Sequence, residues 1–586
     1  MAMDKQSKEY LDNLRHSCAH LLAAAILELY PDSKRTIGPS IENGFYFDFD
    51  FGDTKISEDD FPKIEAKMKE LIKTWKGFER KDVTADEAKS FYIGNEYKIE
   101  LIEEFSGDGK ELTFYSSRTG ENYSDSDYSD LCRGGHVNHP ESEIKHFKLL
   151  SVAGAYWRGS EKNKMLTRIY GTCFPTKVEL DEYLNMIEEA EKRNHKKLGR
   201  ELGLFMFHET APGMAYWLPK GVTLYNELVN FWRIEHKKEN YQEIFSPLIN
   251  KKELYETSGH WDHYREDMFL SETDEGEIYA LKPMNCPNAM VVFGSETRSY
   301  RDLPLRLSDT DTLHRFERSG TLNGLLRIRE FRQDDAHIFV TEDQIVDEYK
   351  KLFALTERFY SIFNLEYKFR LGTRPEKFMG DKKLWDKAEE ELKSVLDKSG
   401  KEYFVLEGDG AFYGPKIDIL MKDALGREWQ MGTLQLDFQQ PLRFNLKYSG
   451  KDGTTKTPVA IHRVIYGSLE RFIGVLIEHF GGAFPTWISP VQVKILPISE
   501  KHADYANKVF NELKEKGIRV ELDERAETLG NKIRNAQNEK VPYMLIVGDK
   551  EIENNEVSVR NRLGENSTMQ LSKFIDIITL EIEKYQ

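Results

Sequence analysis

The sequence predicts an α+β protein that is divided into several domains. Its 586 residues exceed what a single hydrophobic core normally serves, and about 100 to 200 residues per domain gives three or four domains. Segments with apolar residues at helical spacing alternate with shorter segments in which apolar and polar residues alternate, as in amphipathic helices and half-buried strands. From Val491 onward, strand and helix patterns follow one another closely, which indicates a separate small α/β domain.

The composition excludes some classes of protein. Hydrophobic residues make up 39% of the chain, and no apolar run approaches the roughly 18 residues that span a bilayer. Only four cysteines occur and the charged N-terminus lacks a signal-peptide core, so we expect a cytosolic (cytoplasmic), disulfide-free protein with no membrane partner. The net charge of -17 argues against a general nucleic-acid binder, because such binding needs clustered Lys and Arg. RNA bound through local patches remains open.

The first element is predicted to be an amphipathic helix over residues 4–30. On this helix His16 and His20 stand four residues apart, so both project from one face. An aromatic alternating strand follows at residues 44–51, and a helical pattern follows near residues 57–75. Both periods within one region predict an α+β domain.

A second set of reactive side chains lies further along the chain. In the segment DLCRGGH, Cys132 and His136 flank a Gly-Gly turn. With the two helical histidines they could form a four-ligand zinc site, since imidazole and thiolate suit that metal. A metal-free hydrolytic pocket would need the same groups. An isolated HxxxH pair more often marks two surface histidines, but the downstream CxxxH segment favours a functional site.

The middle of the chain changes composition twice. Residues 176–204 are highly charged with helical periodicity, which predicts a connecting helix at a domain boundary. Beyond them the composition turns aromatic and apolar, with a long helix predicted at residues 224–232 and a strand at residues 241–249. Because Pro247 cannot donate to a ladder, that strand is expected at an edge or an interface.

Further helices and strands follow in this apolar region. Residues 373–400 have a helical pattern, and residues 418–420 and 428–438 have strand patterns. A strand from Ile461, a glycine turn and a buried amphipathic helix come next. Arg471 lies in the first turn of that helix, beside an N-terminus that favours anions.

Residues 313–340 concentrate the polar side chains that a nucleotide site needs. Both ends alternate apolar and polar residues around a turn-rich centre, which predicts two antiparallel strands and a loop. A guanidinium can neutralise a phosphate, an aromatic ring can stack on a purine, and carboxylates can hold an ammonium or hydroxyl group. An exposed, salt-bridged hairpin is the alternative. A period of two places Arg315 and Glu317 on one face, and Arg327, Arg329, Phe331, Gln333 and Asp335 on one face of the returning strand.

Three segments, in order, resemble the signature motifs of class II aminoacyl-tRNA synthetases. The strand with Pro247 resembles motif 1, Arg315-x-Glu317 with its loop and Arg327 resembles motif 2, and the segment ending at Arg471 (GSLER) resembles motif 3. Within this class, the chain resembles threonyl-tRNA synthetases along nearly its whole length. The matching segments are HSCAH and DLCRGGH in front, MNCP, RQDDAH and AIHRVIYGSLER in the core, and the small α/β domain behind.

The resemblance implies four regions. These are an N-terminal α+β editing domain at residues 1–175, a connecting helix at 176–204, a class II catalytic domain at 205–489 and an α/β anticodon-binding domain at 490–586. The catalytic domain would contain an antiparallel sheet of six or more strands flanked by helices, and a homodimer would form through motif 1. Bacterial members commonly carry a small ubiquitin-like domain ahead of the editing domain, which the sequence lacks.

The resemblance also implies the chemistry. L-threonine would react with ATP to give threonyl-adenylate, the acyl group would pass to tRNA(Thr), and mischarged seryl-tRNA(Thr) would be hydrolysed. One Zn²⁺ in the catalytic domain and Mg²⁺ with ATP are the implied cofactors. The implied zinc ligands are Cys286, His337 and His462.

Residue roles follow from the same motifs. For ATP and catalysis they are Arg315 at the α-phosphate with Glu317, Arg327 near the outer phosphates, and Phe331 and Arg471 around the adenine. For threonine they are Gln333 and Asp335 at its amino and hydroxyl groups, with Tyr413, Lys416, Gln430 and Gln435. For editing they are His16, His20, Lys98, Asp130, Cys132 and His136. For the anticodon they are Lys540, Glu551 and Arg560.

The chain departs from the family pattern in places. CRGGH replaces the usual CRGPH, Lys540 stands where arginine is frequent, and Asn288-Ala289 follows MNCP in place of Gly-His. Two alternatives remain at this stage. One is a sister class II enzyme, prolyl or seryl in specificity, and the other is a synthetase-like RNA-binding regulator without catalysis. A metal-storage or metallohydrolase function would explain the front domain but not motifs 2 and 3.

Overall fold

The computed structural model describes residues 7–120 and 128–586. The chain divides into two compact units between Glu188 and Glu189. None of the helices in the described part of the chain has the length and hydropathy of a membrane span.

The first unit packs a long helix against an aromatic sheet. Its helices are α1 (Lys8–Leu29), α2 (Phe61–Leu71), α3 (Ala85–Phe91), α4 (Glu96–Gly107) and α5 (Pro140–Glu143). Its strands are β1 (Lys34–Arg35), β2 (Ser40–Ile41), β3 (Gly44–Asp50), β4 (Gly77–Asp82), β5 (Thr113–Arg118), β6 (Ser129–Leu131), β7 (His146–Tyr156) and β8 (Met165–Phe174). One sheet has the order β1-β3-β8-β7 with β2 on β3, and a second has the order β4-β5-β6.

Helix α1 agrees with the helix predicted over residues 4–30, of which residues 4–6 lie outside the described residues. It begins where the Ser7 hydroxyl accepts a hydrogen bond from the Tyr10 N–H, a normal helix N-cap. Its apolar side packs on the aromatic side chains of β3 in one buried cluster. This packing fixes the rotation of α1 and therefore the direction of its two histidines.

The second unit begins with the catalytic region predicted from sequence and its flanking helices. After α6 (Lys177–Lys192), its helices are α7 (His195–Glu201), α8 (Pro219–Lys238), α9 (Lys252–Ser258), α10 (His260–Tyr264), α11 (Cys286–Gly294), α12 (Ile345–Ser361), α13 (Lys382–Ser399), α14 (Gln440–Arg443) and α15 (Leu469–Phe480). Its strands are β9 (Phe205–Phe207), β10 (Ala215–Trp217), β11 (Gln242–Glu243), β12 (Ile249–Lys251), β13 (Leu270–Glu272), β14 (Ile278–Leu281), β15 (Arg298–Ser299), β16 (Leu305–Asp309), β17 (Thr312–His314), β18 (Glu330–Arg332), β19 (Asp335–Val340), β20 (Glu366–Gly372), β21 (Tyr403–Leu406), β22 (Lys416–Lys422), β23 (Glu428–Asp437), β24 (Tyr448–Ser449), β25 (Thr455–Lys456) and β26 (Val459–Val464).

An eight-stranded sheet forms the centre of this unit. Its order is β11-β16-β19-β26-β23-β22-β20-β21. The six central strands are antiparallel, and the two outer pairs are parallel. The predicted antiparallel sheet of six or more strands is confirmed. Strand β11 lies at the sheet edge, which is where a strand next to a proline is expected. It has only two residues and ends before Pro247, so the strand predicted at residues 241–249 is much shorter in the structure.

Several predicted elements are shorter or interrupted in the structure, and the connecting helix predicted at residues 176–204 is divided into α6 and α7. The hairpin strands β17 and β18 have three residues each, and residues 315–329 form a loop. The predicted alternation of strand faces therefore does not hold for the residues of this loop. In this loop the Arg315 N–H still donates to the Arg329 backbone oxygen, and Arg329 Nε donates to the Glu317 backbone oxygen. The helix predicted at residues 373–400 begins only at Lys382, because Gly380 has φ +90° and Asp381 caps the helix.

The C-terminal part is a small α/β layer structure, as predicted. It contains β27 (Val493–Pro497), β28 (Val520–Leu522), β29 (Tyr543–Val547), β30 (Glu556–Asn561), β31 (Asn566–Gln570), α16 (Ala503–Glu515), α17 (Leu529–Asn538), α18 (Asp549–Asn554) and α19 (Leu571–Glu583). The sheet order is β28-β27-β29-β30-β31. Its first three strands are parallel and the last two pairings are antiparallel.

Candidate functional site

Cys286, His337 and His462 lie together beside the central sheet of the second unit. His337 on β19 stands directly opposite His462 on β26, and Cys286 begins α11. One ligand atom from each residue lies within 4.8 Å of the other two, and all three residues are buried. A thiolate with two imidazoles is a typical zinc set, and three protein ligands leave a coordination position open.

The surroundings of these three residues fit a metal ion. Asp437 Oδ2 lies 2.8 Å from His462 Nε2, an arrangement that orients a metal-binding imidazole and leaves Nδ1 for the metal. His337 Nδ1 is buried without a hydrogen-bond partner, and burial lowers the pKa of His337, which keeps the ring neutral. Burial raises the pKa of the Cys286 thiol, so the thiol keeps its proton until a bound cation displaces it.

A cavity of about 260 Å³ opens beside the triad. Within it, Tyr413 donates its hydroxyl hydrogen to Gln435 Oε1 at 2.5 Å, and Asn285 Nδ2 donates to Asp335 Oδ2 at 3.1 Å. Burial raises the pKa of Asp335 to about 6, so an ammonium partner would favour its ionised form. The residues that the sequence predicted and that line this cavity are Arg315, Gln333, Asp335, Tyr413 and Gln435, with the three ligand candidates.

Lys416 and Gln430, also predicted for the threonine pocket, lie in a neighbouring polar cluster. Lys416 Nζ is 3.1 Å from Asp418 Oδ2, and Gln430 Nε2 donates to Asp418 Oδ1 at 2.9 Å. Arg370 donates to Gln430 Oε1 at 2.8 Å. Both side chains are therefore held by the buried carboxylate of Asp418, and the described residues that line the cavity include neither of them.

Three arginines lie in or beside the motif 2 loop. The Arg315 guanidinium lies 5.0 Å from the ring centre of Phe331, Arg327 Nε donates to Glu317 Oε2 at 2.8 Å, and Arg471 Nε donates to the Leu326 backbone oxygen. Burial, together with the charges of Arg327 and Arg315, lowers the pKa of Arg471. A polyphosphate would relieve this like-charge repulsion.

Sequence reasoning missed several polar residues of this site. His260 lines the cavity with Nε2 4.0 Å from Cys286 Sγ, and Asp437 supports His462. No local pattern pointed to either residue. Asp334, by contrast, stands in the RQDDAH segment. It holds the turn before α15 by accepting hydrogen bonds from the backbone of Ile465 and Gly467.

A second cluster, in the first unit, contains His16, His20, Cys132 and His136. One ligand atom from each lies within 4.8 Å of the others, and Cys132 Sγ is 3.5 Å from His16 Nε2 and 3.4 Å from His136 Nε2. Burial lowers the pKa of all three histidines and raises the pKa of Cys132 to about 12. Neutral imidazoles beside a thiol can accept a proton from water, and they can also bind a metal.

A buried ion pair borders this cluster. Lys98 Nζ is 2.7 Å from Asp130 Oδ1, and both side chains are 3% exposed. Tyr92 and Tyr128 donate their hydroxyl hydrogens to the same carboxylate, and Arg35 lies nearby. Sequence reasoning missed these last three residues. Lys98, Asp130, His16, His20 and Cys132 all line a cavity of about 330 Å³.

The three residues predicted to read the anticodon lie in the C-terminal domain. Glu551 on α18 accepts hydrogen bonds from the Gly548 N–H and the Ser558 hydroxyl. Arg560 stands two residues beyond Ser558 on β30, so both side chains lie on one face of that strand. The Lys540 backbone oxygen accepts a hydrogen bond from Arg562, and Lys540 borders a different cleft, beside Gly482 and Val541.

Comparisons with known proteins agree with this architecture. Residues 269–480 match the tRNA synthetase class II core domain (G, H, P, S and T). Residues 492–580 match an anticodon binding domain, and residues 118–170 match the threonyl and alanyl tRNA synthetase second additional domain.

Curated relatives match nearly the whole chain. A threonine–tRNA ligase of Thermotoga neapolitana is 53% identical over 572 residues, covering 97% of this chain and 88% of the relative. A threonine–tRNA ligase of Clostridioides difficile is 52% identical over 583 residues, covering 99% of this chain and 89% of the relative.

Solved structures have the same fold. The RNA binding domain of threonyl-tRNA synthetase from Cryptosporidium parvum has a TM-score of 0.65 and 44% identity, covering 66% of this chain and 98% of that one. Prolyl-tRNA synthetase of Giardia lamblia, with a TM-score of 0.54 and 18% identity over 68% of this chain and 80% of that one, shows the fold alone. The full-length identities show that this chain belongs to the threonine–tRNA ligase family of class II aminoacyl-tRNA synthetases.

Proposed function

We propose that the second unit activates L-threonine with ATP and transfers the threonyl group to tRNA(Thr). One observation carries this proposal: Cys286, His337 and His462 share a cavity with Asp335 and the guanidinium of Arg315. A site that reads a small amino acid therefore adjoins a site that reads phosphate. Family membership supports the same reaction.

We further propose that the three ligand candidates hold a zinc ion. When bound, zinc supplies an open coordination site for the amino and hydroxyl groups of threonine, which the methyl groups of valine cannot fill. Gln333 and Asp335 would hold the same amino and hydroxyl groups through hydrogen bonds. Mg²⁺ would accompany ATP.

In the proposed reaction the arginines bind the phosphates and stabilise the negative charge that develops on them. The threonine carboxylate attacks the α-phosphorus, a new P–O bond forms, and the bond to pyrophosphate breaks. Arg315 would bind the α-phosphate and Arg327 the outer phosphates, while Phe331 and Arg471 would enclose the adenine. Preorganised guanidiniums stabilise the developing negative charge because they need no rearrangement during the reaction.

The first unit would then correct serine errors. Serine keeps both polar groups of threonine and lacks only a methyl group, a difference worth about 1 to 3 kcal/mol in binding. We propose that seryl-tRNA(Thr) binds in the cavity lined by Lys98, Asp130 and Cys132. A neutral histidine would take a proton from water as it adds to the ester carbonyl, and the ribose hydroxyl would leave with a proton.

Domain limits and partners complete the proposal. We propose editing at residues 1–175, a connecting segment of two helices at 176–204, catalysis at 205–489 and anticodon recognition at 490–586, through Glu551, Arg560 and Lys540. The exposed apolar side chains of Phe245 and Ile249, 74% and 58% exposed, support a homodimer through motif 1, since such surfaces favour association. We also propose a cytoplasmic location, because a protein that charges tRNA acts where translation takes place.

ATP–pyrophosphate exchange with zinc determination on the same sample tests this proposal. We expect exchange with threonine, weaker exchange with serine, none with valine, proline or alanine, and about one zinc per chain. The Cys286→Ser variant should lose zinc and threonine activation together. No exchange in a folded, zinc-loaded protein would instead favour a regulatory role, and exchange with proline or serine alone would favour a sister enzyme.

A further inference from the structure

His195, the first residue of α7, connects helix α15 with the motif 2 loop. Its side chain is 1% exposed, and Nδ1 lies 2.6 Å from Glu478 Oε1. On its other side, the Leu325 backbone N–H donates to His195 Nε2 at 3.1 Å. Both ring nitrogens of a fully buried histidine are therefore engaged.

These partners determine the tautomer of the ring. A backbone N–H can only donate, so Nε2 must carry the lone pair and Nδ1 the hydrogen. The His195 N–H donates to the same Glu478 oxygen at 3.1 Å, and Arg427 pairs with the other oxygen of that carboxylate. The imidazole is thus held as a rigid neutral bridge between a charged network and the loop backbone.

The chain approaches the ring closely on the loop side. Gly324 has φ +52°, and a Cβ atom there would lie 2.3 Å from His195 Nε2. Any side chain at this position would displace the ring or the loop. A glycine at residue 324 is therefore what permits the contact between Leu325 and His195.

The segment that His195 holds at Leu325 is followed directly by contacts to the arginines that we propose to bind ATP. The Leu326 backbone oxygen accepts the hydrogen bond from Arg471 Nε at 2.9 Å. Arg327 follows immediately and pairs with Glu317. A shift of the segment at Leu325 would therefore move both guanidiniums, whereas the threonine side of the cavity, at Asp335 and Cys286, is built on other elements.

We propose that His195 is a positioning residue for ATP: it fixes residues 324–327 and through them the guanidiniums of Arg327 and Arg471. This inference rests on the proposed activation of threonine. His195 is not among the described residues that line the cavity beside Cys286, so it acts through the loop.

Two substitutions test the two hydrogen bonds of the His195 ring separately. In His195→Asn, the side-chain amide can still donate to Glu478, but no atom reaches Leu325. In His195→Gln, the side-chain oxygen can accept from Leu325. We expect His195→Asn to raise the KM for ATP roughly tenfold, equivalent to about 1.4 kcal/mol, through the loss of a hydrogen bond to a buried N–H. The KM for threonine should stay within about twofold, and His195→Gln should restore most of the ATP affinity.

Amide hydrogen exchange gives a second readout, independent of activity. In His195→Asn, peptides that contain Leu325 should exchange faster, while the central sheet keeps its protection. As a matched control, His502→Asn alters another buried histidine, 3% exposed and paired with Asp549, in the C-terminal domain. It should leave both KM values unchanged.

The outcomes distinguish the two proposals. No threonine-dependent exchange in the unaltered protein would refute the proposed function, and the positioning role with it. An active unaltered protein whose His195→Asn variant keeps its KM for ATP, or loses both affinities equally, would overturn the positioning role alone. Unchanged hydrogen exchange at Leu325 would overturn it as well.

Discussion

Replacing Asp437 with asparagine isolates the contact that orients His462. Asp437 Oδ1 accepts hydrogen bonds from the backbone N–H groups of Gln439 and Gln440 at 2.7 and 3.0 Å, and Oδ2 lies 2.8 Å from His462 Nε2. Asparagine retains an oxygen for the two backbone donors. Its amide nitrogen, however, faces His462 Nε2, so the ring must present a lone pair there and place its hydrogen on Nδ1.

In that tautomer Nδ1 carries the hydrogen and cannot bind a metal, so the substitution should weaken zinc binding. Loss of a hydrogen-bonding partner behind a metal-binding histidine typically weakens metal affinity about 10- to 100-fold. This corresponds to about 1.4 to 2.7 kcal/mol. Because Asp437 is fully buried, solvent cannot substitute for the lost acceptor, and we expect the upper part of that range.

Competition with a chromophoric chelator would measure the zinc dissociation constant, and pyrophosphate exchange would give the KM for threonine. Both should rise in Asp437→Asn, while the KM for ATP stays the same. Asp452→Asn, in an exposed turn with its carboxylate 53% exposed, is the control and should change neither. Unaltered zinc affinity in Asp437→Asn would refute the reasoning that Asp437 orients the ligand.

Three further predictions concern the first unit. Cys132→Ser should leave threonine activation intact and allow seryl-tRNA(Thr) to accumulate; normal hydrolysis of preformed seryl-tRNA would remove Cys132 from the editing site. Because burial lowers the pKa of His16 and His136 below the ordinary value of 6.5, the neutral form persists as the pH falls. Editing, corrected for spontaneous ester hydrolysis, should therefore stay flat between about pH 6 and 8, and a decline centred near the ordinary value would contradict this. Lys98→Met should lower the free energy of unfolding by about 3 kcal/mol, since it leaves the buried Asp130 without its ammonium partner; denaturant titration measures this, and a loss within experimental error would show that Arg35 and the two tyrosines stabilise the carboxylate without Lys98.

Local structure followed the sequence most closely where one period covers many residues. Helix α1, strand β3 and strand β23 lie where the patterns predict, because burial of one face requires apolar side chains at the period of the element. The motif 2 region shows where this reasoning fails. Its alternating charges resemble a strand, yet residues 315–329 form a loop in which backbone bonds, such as that of Arg329 to Gly213, combine with side-chain bonds, such as that of Arg329 to Glu317.

The residues predicted for the threonine pocket also include some that the structure places in the cavity and some that it does not. Gln435 and Lys416 lie on adjacent strands directly opposite one another, yet only Gln435 lines the cavity. The acidic side chain of Asp418 decides this, because it holds Lys416 and Gln430 on its own side. The period of two places Asp418 on the same face as Lys416, two residues away on β22, but its contact with Gln430 on β23 depends on how the two strands pair.

By itself, the sequence determined the kinds of reactive groups, their order and the secondary structure around them, since these depend on residues within a few positions of one another. The tertiary structure decided which groups meet. His337 faces His462 only because β19 and β26 pair in one register, and a slip of one residue would turn either ring to the other face of the sheet. The support of His462 by Asp437 and the hold of His195 on Leu325 depend likewise on contacts between distant segments, which local periodicity does not encode.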